Sequence, residues 1–265
     1  METDPSLGFA LPEVDIRTTT PQDPRRACFR ARKVLEEIIY DTVALENNPF
    51  TFPEVKTLME GTTVGGHKIE DEQQVLNQAD SWRKILDEVE TGTFVPFANG
   101  LDSALRLHAL VAKEEALEWG KFRTSHVGIA GTEHEPPPAD TLHTVYQDGA
   151  RALRTIECIH TQAIATYLFI ARNQFFWDGN KRTGRLLMNG LLLTNGHDVI
   201  TVPAKRRQDF NTKMVRFYDS ANGAEMVDFL ASCSIDKNIE ILRRNSRTIP
   251  PTEEIPEPPT SSWSR

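Results

Sequence analysis

Paired cysteines and long apolar runs, two features of secreted and membrane proteins, are both missing from this sequence. Only three of its 265 residues are cysteine, Cys28, Cys158 and Cys233, and none of them belongs to a CxxC pair. Isolated cysteines are typical of free thiols in a reducing compartment, not of a disulfide framework or a zinc site. No stretch approaches the roughly 18 consecutive apolar residues of a transmembrane helix, and the N-terminus has acids where a secretory signal would have bases. We therefore expect a cytoplasmic protein that does not bind membranes.

A surplus of basic residues is missing as well. The chain has 30 Lys and Arg against 38 Asp and Glu, so its formal net charge is -8. An acidic chain disfavours general nucleic-acid binding, which depends on clustered cations, and we expect no nucleic-acid partner. Hydrophobic residues make up 39% of the chain and charged residues 26%, as in ordinary soluble globular proteins.

Helical periodicity dominates the chain between two tails. Residues 1–24 are rich in Pro, Thr and Asp and are predicted to be a flexible arm. Residues 244–265 contain many prolines, which cannot continue a helix, and are predicted to be a disordered tail. Between them we expect an N-terminal helical region at 25–95 and a core domain at 96–243. The predicted helices cover residues 24–47, 51–61, 70–90, 101–119, 155–173, 182–196, 205–221 and 224–242.

One segment breaks this helical pattern. Residues 120–131, GKFRTSHVGIAG, have apolar Phe122, Val127 and Ile129 in partial alternation between glycines. Such a pattern predicts a short hairpin or extended segment. The predicted fold class is therefore all-α with one small β-hairpin.

The stretch NQFFWDGNKRTGR, residues 173–185, concentrates charge between two apolar helices. The free N–H groups and the dipole at the start of the second helix attract anions, and Gly179 lets the backbone approach a ligand closely. Arg182 and Arg185 are one turn apart on one helical face, so both guanidinium groups can contact a polyphosphate. The alternative is an ordinary polar turn whose arginines pair with surface acids, because most DGN triplets are simply turns.

Three further residues of this stretch suit a phosphate site. Asn180 can donate hydrogen bonds from its amide, and Lys181 adds a positive charge. Asp178 is the only carboxylate in the loop. A lone carboxylate beside phosphate suits Mg²⁺, which typically takes one or two protein acids together with phosphate oxygens.

This stretch resembles the signature of the Fic family, HxFx(D/E)GN(G/K)RxxR. Lys181 is the variant of the Doc-like toxin branch, and Gln174 stands where the family has its histidine. Residues 120–138 resemble the family's flap, and TVALEN, residues 42–47, resembles the inhibitory motif (S/T)xxxE(G/N) of the larger Fic proteins. The resemblance covers roughly residues 30 to 235 and implies the Fic-fold helical bundle. The positions that match the signature are Phe176, Asp178, Gly179, Asn180, Arg182 and Arg185.

The resemblance implies a protein adenylyltransferase, which binds ATP and Mg²⁺ and transfers AMP to a hydroxyl of a target protein. Asn180 and nearby amides, including that of Gly179, would hold the α-phosphate region, and Asp178 would hold the metal. Arg182 and Arg185 would hold the outer phosphates. A protein substrate or regulatory partner would add a strand to the flap. The implied docking residues are Thr124, Ser125, His126, Val127, Gly128 and Ile129.

The inhibitory motif implies autoinhibition within one chain. Thr42 and Glu46 are four residues apart and share one helical face, and Asn47 completes the motif. The resemblance implies that Glu46 pairs with Arg185 and takes the arginine meant for the γ-phosphate. The alternative is an exposed helix acid without a partner. Autoinhibited Fic proteins often dimerise, so a homodimer is the oligomeric state that the resemblance suggests.

Gln174 weakens the expectation of turnover. A general base needs a titratable group and typically contributes 10²–10⁴-fold to the rate, and an amide cannot take up a proton near neutral pH. His134 in the flap corner is a candidate replacement, whereas His160 lies about 21 Å away along the same predicted helix. Three hypotheses therefore stand: a slow adenylyltransferase, a pseudoenzyme that binds nucleotide or protein without turnover, and a Doc-like protein phosphotransferase, suggested by Lys181.

Overall fold

A computed structural model describes residues 2–17, 23–96, 102–236 and 240–243 of the chain. Within these ranges the chain forms ten α-helices and two short strands, which confirms the predicted all-α class with one small β element. The strands are β1 (Val14–Arg17) and β2 (Glu240–Arg243), which pair antiparallel. The helices are α1 (Pro24–Lys33), α2 (Leu35–Leu45), α3 (Phe52–Met59), α4 (Ile69–Glu90), α5 (Asp102–Val111), α6 (Leu142–Arg154), α7 (Ile159–Asn173), α8 (Asn180–Thr194), α9 (Arg207–Ser220) and α10 (Ala224–Ala231).

The β element lies at a different place from the one the sequence predicted. Residues 120–131 contain no strand, and the two strands come from opposite ends of the chain. A strand needs a neighbouring backbone to pair with. At the base of this segment the N–H of Arg123 donates to the carbonyl of Phe175 at 2.9 Å, but Phe175 belongs to a loop that offers no strand. The segment is therefore an extended loop.

The N-terminal residues are packed against the core, so the prediction of a flexible arm was wrong for residues 2–17. Phe9 is completely buried and packs edge-to-face on Phe217, with ring centroids 5.2 Å apart. The carbonyl of Gly8 accepts a hydrogen bond from Arg172 at 3.2 Å. Burial of a few apolar side chains, Leu7 and Phe9 among them, holds a segment whose polar composition suggested disorder. Residues 1 and 18–22 of the predicted arm lie outside the described residues.

The last predicted helix was too long. α10 ends at Ala231, and residues 240–243 are strand β2, in register with Val14–Arg17. Short apolar runs such as EILR fit helix and strand about equally well, and pairing with a distant segment decides between them. The predicted disordered tail, residues 244–265, lies outside the described residues.

α7 and α8 form the centre of the fold. Nearly every residue of α7 is buried, and α8 packs directly against it. Gly184 makes this approach possible, because an added Cβ would lie 3.2 Å from the carbonyl oxygen of Tyr167. α4 in turn packs against α1, α2, α5 and α8. The predicted N-terminal region and core domain therefore share one hydrophobic core.

The ends of the first helices differ in part from the sequence-based prediction. The predicted first helix is two helices, because Val34 has a non-helical backbone (φ -117°, ψ 21°) between α1 and α2. α3 begins with the expected cap, in which Thr51 and Glu54 form a capping box. Among the described helices, none is both long and apolar enough to cross a membrane.

Candidate functional site

The turn between α7 and α8, residues 174–179, is built by left-handed residues at both ends. Gln174 (φ 47°) ends α7, and Gly179 (φ 73°) precedes the first residue of α8. The buried side chain of Asn180 closes the turn. Its Oδ1 accepts from the N–H of Phe176 at 2.9 Å, and its Nδ2 donates to the carbonyl of Phe176 at 2.8 Å. The side-chain amide of Asn180, which was predicted to bind phosphate, therefore stabilises the turn itself.

Gln174 is hydrogen-bonded inside the same turn. Its Nε2 donates to the carbonyl of Ala171 at 2.6 Å, and its Oε1 accepts from Nδ2 of Asn180 at 3.0 Å. Both ends of the amide are therefore engaged within the protein. The side chain at this position braces the turn and has no group that could take up a proton near neutral pH.

His108 of α5 contacts the turn through Phe176 and Asp178. It was not among the residues predicted for the site. Its ring stacks on Phe176 with centroids 3.8 Å apart. The N–H of Gly120 donates to Nδ1 at 3.0 Å, so the proton is on Nε2, which donates to the carbonyl of Asp178 at 2.9 Å. Burial lowers the pKa of His108 to about 4, with the nearby guanidinium of Arg182 acting in the same direction. His108 is therefore a neutral structural histidine at physiological pH.

Arg123 fixes the base of the flap to the turn and was also missed. Its side chain is only 2% exposed. Nε donates to the carbonyl of Gln174 at 2.6 Å, and the two Nη atoms donate to the carbonyls of Ser125 and Pro137 at 2.7 and 2.5 Å. The flap and the turn are thus one connected unit. A buried arginine with three carbonyl partners leaves no periodic signal in the sequence.

The remaining flap residues stay accessible. Thr124, Ser125, His126 and Gly128 are exposed, and no strand in the described ranges pairs with residues 124–129. Apart from the carbonyl of Ser125, which accepts from Arg123, their backbone groups make no hydrogen bond in the described part of the chain and could pair with an added strand. The flap ends near His134, whose backbone N–H donates to Oγ1 of Thr132 at 3.1 Å. The Nε2 atom of its ring lies 3.1 Å from the carbonyl oxygen of Arg172.

The first turn of α8 has backbone donors that the helix itself leaves without an acceptor. The N–H groups of Asn180, Lys181 and Arg182 have no intrahelical acceptor by virtue of their position, and a left-handed glycine before them forms an anion-binding concavity. An added Cβ at Gly179 would lie 3.3 Å from the Cβ of Ala112, so a larger residue would crowd this bend. The backbone at this point is suited to bind an anion.

Asp178 lies at the mouth of this concavity. Its side chain is 62% exposed. Oδ1 accepts from the N–H of Gly179 at 2.6 Å, and Oδ2 accepts from Nη2 of Arg182 at 3.1 Å. These two donors fix the carboxylate and leave further lone pairs free. No group of three or more potential metal ligands occurs among the described residues, so a metal here would take one protein carboxylate and its remaining ligands from phosphate and water, as Mg²⁺ does.

The structure does not bring Arg182 and Arg185 together as a pair. Arg182 is turned towards the segment that follows α5, where its Nη1 donates to Oε2 of Glu115 at 2.5 Å. Arg185 is turned towards α2, where Nη2 donates to Oε1 of Glu46 at 3.0 Å. The prediction that both guanidinium groups face one ligand therefore describes Arg185 better than Arg182. Glu115 was not among the residues predicted for the site.

Glu46 bridges two cations of α8. Besides Arg185, it contacts Nζ of Lys181 through Oε2 at 3.0 Å, and its side chain is only 16% exposed. Burial by itself would raise the pKa of Glu46, but Arg185, Lys181 and Arg182 outweigh it and lower the pKa to about 2. Glu46 is thus an ionised acid with partners, not an exposed helix residue.

Two buried donor atoms of Arg185 make the place occupied by the Glu46 carboxylate suitable for an anion. Nε and Nη1 of Arg185 are buried and have no hydrogen-bond acceptor within the described part of the chain. Buried donors without acceptors are rare and costly, and they would be satisfied by the oxygens of a larger anion such as a polyphosphate. The residues present therefore fit such a ligand.

The other residues of the inhibitory motif support the end of α2. Thr42 is buried one turn before Glu46. Asn47 has a left-handed backbone (φ 63°), and its Oδ1 accepts from Nη1 of Arg207 at 2.9 Å. The same nitrogen donates to the carbonyl of Ala44 at 3.3 Å. Arg207 therefore anchors the segment that carries Glu46 to the region of α9.

These features define a helical domain in which a turn suited to anions precedes a helix whose cations Lys181 and Arg185 pair with an internal carboxylate. Residues 99–192 match the Fic/DOC family, so the chain contains a Fic/DOC family domain. It is 27% identical over 228 residues to the protein adenylyltransferase Fic of Drosophila melanogaster, covering 82% of this chain and 44% of the fly protein. The Drosophila erecta protein is 26% identical over 227 residues, with 82% and 43% covered. The chain thus spans less than half the length of these relatives.

Solved structures show the same fold. Fic-1 of Caenorhabditis elegans, residues 134–508, superimposes with a TM-score of 0.64 at 20% identity, covering 78% of this chain and 62% of that one. A Fic domain containing signaling protein from Bacteroides thetaiotaomicron gives a TM-score of 0.65 at 19% identity, with 81% and 87% covered. At this level of identity the similarity establishes the fold alone.

Proposed function

We propose that this chain binds ATP together with Mg²⁺ at the turn before α8 and acts as a protein adenylyltransferase that its own Glu46 holds inactive. The name shared by the Drosophila relatives supports the reaction class. The observation that carries the proposal is the Glu46 bridge to Lys181 and Arg185, together with the buried donors of Arg185 that lack an acceptor. An anion already occupies the place that a polyphosphate would take.

Each part of the turn has a role in this proposal. The N–H groups at the start of α8 and the concavity at Gly179 bind phosphate oxygens. Lys181 and Arg185 neutralise the charge of the outer phosphates. Asp178 would hold Mg²⁺, which when bound neutralises phosphate charge and orients the phosphates. The exposed flap backbone, residues 124–129, would align a protein segment that carries the accepting hydroxyl.

Autoinhibition follows from competition for the same two cations. While the Glu46 carboxylate bridges Lys181 and Arg185, the outer phosphates cannot reach them. ATP would then bind weakly or with its phosphates displaced. Removal of the carboxylate or displacement of the end of α2 would release both cations at once.

Proton removal is the weak step in this proposal. Gln174 uses both ends of its amide inside the turn, so the residue at this position cannot take the proton of an incoming hydroxyl. The expected transfer rate is therefore low even without Glu46. Replacing Gln174 by His should raise the rate in a Glu46→Gly background by about 10²-fold or more, if only the base is missing.

Calorimetry and labelling test the proposal together. Glu46→Gly should bind ATP at least tenfold more tightly than the wild-type chain, whereas Glu37→Gln, which changes an exposed acid on the same helix, should not. Labelled ATP, Mg²⁺ and candidate target proteins then show transfer, and mass spectrometry distinguishes added AMP from added phosphate. Added phosphate would favour the Doc-like phosphotransferase. Absence of ATP binding in both forms would disprove the proposal.

The second candidate function is a pseudoenzyme that binds nucleotide or a partner protein without turnover. The hydrogen bonds of Gln174 favour it, because they show a side chain that braces the turn in place of a base. The two candidates make different predictions for the double variant Glu46→Gly/Gln174→His. Tight ATP binding without any transfer in that variant would support the pseudoenzyme, and transfer would support an enzyme that has lost only its base.

A further inference from the structure

Arg182 uses both of its terminal nitrogens within the protein. The side chain is 3% exposed. Nη1 donates to Oε2 of Glu115 at 2.5 Å, and Nη2 donates to Oδ2 of Asp178 at 3.1 Å. A third, longer contact joins Nη1 to the carbonyl of Val111 at 3.4 Å. This guanidinium therefore connects the interior of the protein to the exposed carboxylate at the mouth of the turn.

Glu115 is itself held in place by α4. Nδ2 of Asn77 donates to its Oε1 at 2.8 Å, and Nε2 of Gln74 donates to its Oε2 at 3.0 Å. Asn77 is buried and also binds the carbonyl of Lys113. A buried carboxylate satisfied in this way is costly to separate from its counter-charge. Arg182 is therefore not free to move towards a ligand in the way that a surface arginine is.

We propose that Arg182 is a positioning residue: Glu115 fixes its guanidinium in the interior, and its second nitrogen orients the Asp178 carboxylate towards a metal. Contact with the phosphates falls to Lys181 and Arg185. This inference rests on the proposed nucleotide site and changes the role that the signature match gave to Arg182.

Lys181 and Arg185 have the opposite surroundings. The side chain of Lys181 is 33% exposed. Arg185 has two buried donors without an acceptor in the described part of the chain. Both contact Glu46. These two cations therefore already face one anion, whereas Arg182 faces two acids that belong to the framework of the turn.

The test measures ATP binding to Glu46→Gly by calorimetry, once in EDTA and once in Mg²⁺. Arg182→Lys can keep the ion pair with Glu115 but cannot also reach Asp178. It should leave the Kd in EDTA within twofold and reduce the tightening caused by Mg²⁺ at least fivefold. Lys181→Met should weaken binding at least fivefold in both conditions, because it removes a phosphate contact.

A stability measurement examines the framework without nucleotide. Arg182→Met should lower the Tm, because Glu115 is left without its counter-charge. The double variant Arg182→Met/Glu115→Gln removes the charge, keeps an amide oxygen as acceptor for the α4 amides, and should regain most of the loss. Equal Tm values for the single and double variants would contradict the buried pair and overturn the proposal.

The binding outcomes separate this inference from the proposed function. If Arg182→Lys weakens binding in EDTA as strongly as Lys181→Met, Arg182 is a phosphate ligand and the inference is wrong. If Mg²⁺ tightens binding equally in Arg182→Lys and its parent, the orienting role is also wrong. In both cases ATP binding itself persists, and the proposed function stands. Absence of ATP binding to Glu46→Gly in both buffers overturns the two together.

Discussion

The two arginines of α8 are one turn apart and have opposite surroundings. Arg182 lies against Glu115, which two side-chain amides of α4 also hold. Arg185 lies against Glu46, whose carboxylate contacts two cations at the end of a short helix. The first acid is held by side chains of α4 as well as by Arg182, whereas the second lies at the C-terminal end of α2 and pairs with the two cations of α8. We propose that the pair of Arg182 with Glu115 is part of the scaffold and that the pair of Arg185 with Glu46 is one that ATP can displace.

The largest expected difference between the two arginines is the loss in free energy of unfolding when each is replaced by alanine. Arg182→Ala leaves the buried Glu115 uncompensated and should lower the free energy of unfolding by about 3–5 kcal/mol. Arg185→Ala should cost less, about 1–2 kcal/mol, because Lys181 still pairs with Glu46. Urea unfolding of both variants measures the difference. Equal losses would mean that the two pairs are equivalent parts of the framework.

The pH dependence of stability isolates the Glu46 pair. Its pKa in the folded protein is about 2, below its ordinary value of 4.5. The carboxylate therefore contributes stability above about pH 4.5, and this contribution is lost as the pH falls towards 2. The difference in unfolding free energy between wild type and Glu46→Gln should be at most about 3 kcal/mol near neutral pH and should shrink over that acidic range. Glu37→Gln serves as the control, and a difference that stays constant down to pH 2 would contradict the pairing.

Neutralising each acid should have unequal effects on ligand binding. Glu46→Gln frees Lys181 and Arg185 and should tighten ATP binding at least tenfold, about 1.4 kcal/mol. Glu115→Gln leaves those two cations covered and should change the affinity by less than about twofold. Calorimetry of both variants under the same conditions gives the comparison. Tighter binding by Glu115→Gln would show that Arg182 becomes a ligand once it is released.

The smallest expected effect concerns the anchor of the covering segment. Asn47→Gly keeps the left-handed backbone but loses the hydrogen bond to Arg207, and should lower stability by about 0.5–1 kcal/mol. Asn47→Ala should cost more, because alanine tolerates positive φ poorly. Thermal unfolding distinguishes the two variants. A loss for Asn47→Gly as large as that for Asn47→Ala would assign the whole effect to the side chain.

Much of the fold and part of the site could be predicted from local pattern and motif. The apolar periodicity located α4, α7 and α8, and the glycine-containing turn between two apolar helices pointed to an anion site. The pairing of Glu46 with Arg185 was predicted through the resemblance of TVALEN to an inhibitory motif, and the structure shows the contact. Packing of residues 2–17 could not be predicted, because a few buried apolar side chains outweighed a polar composition.

The most informative contacts of the site join residues that are far apart in the chain. Glu115 precedes Arg182 by 67 residues, and His108 precedes Asp178 by 70. Neither residue belongs to a motif, and neither spacing is periodic. Such pairs become visible only when the packing of α5 against α8 is known.

The sequence by itself determined the helices, the turn and the supply of charge at the start of α8, because these depend on neighbouring residues and on helical spacing. Only the tertiary structure decided how each charge is used. A guanidinium takes its role from the acids that surround it, and Glu46 at the end of α2 and Glu115 after α5 come from distant parts of the chain. The same residue type therefore pairs with Glu115 and Asp178 at position 182 and with Glu46 at position 185.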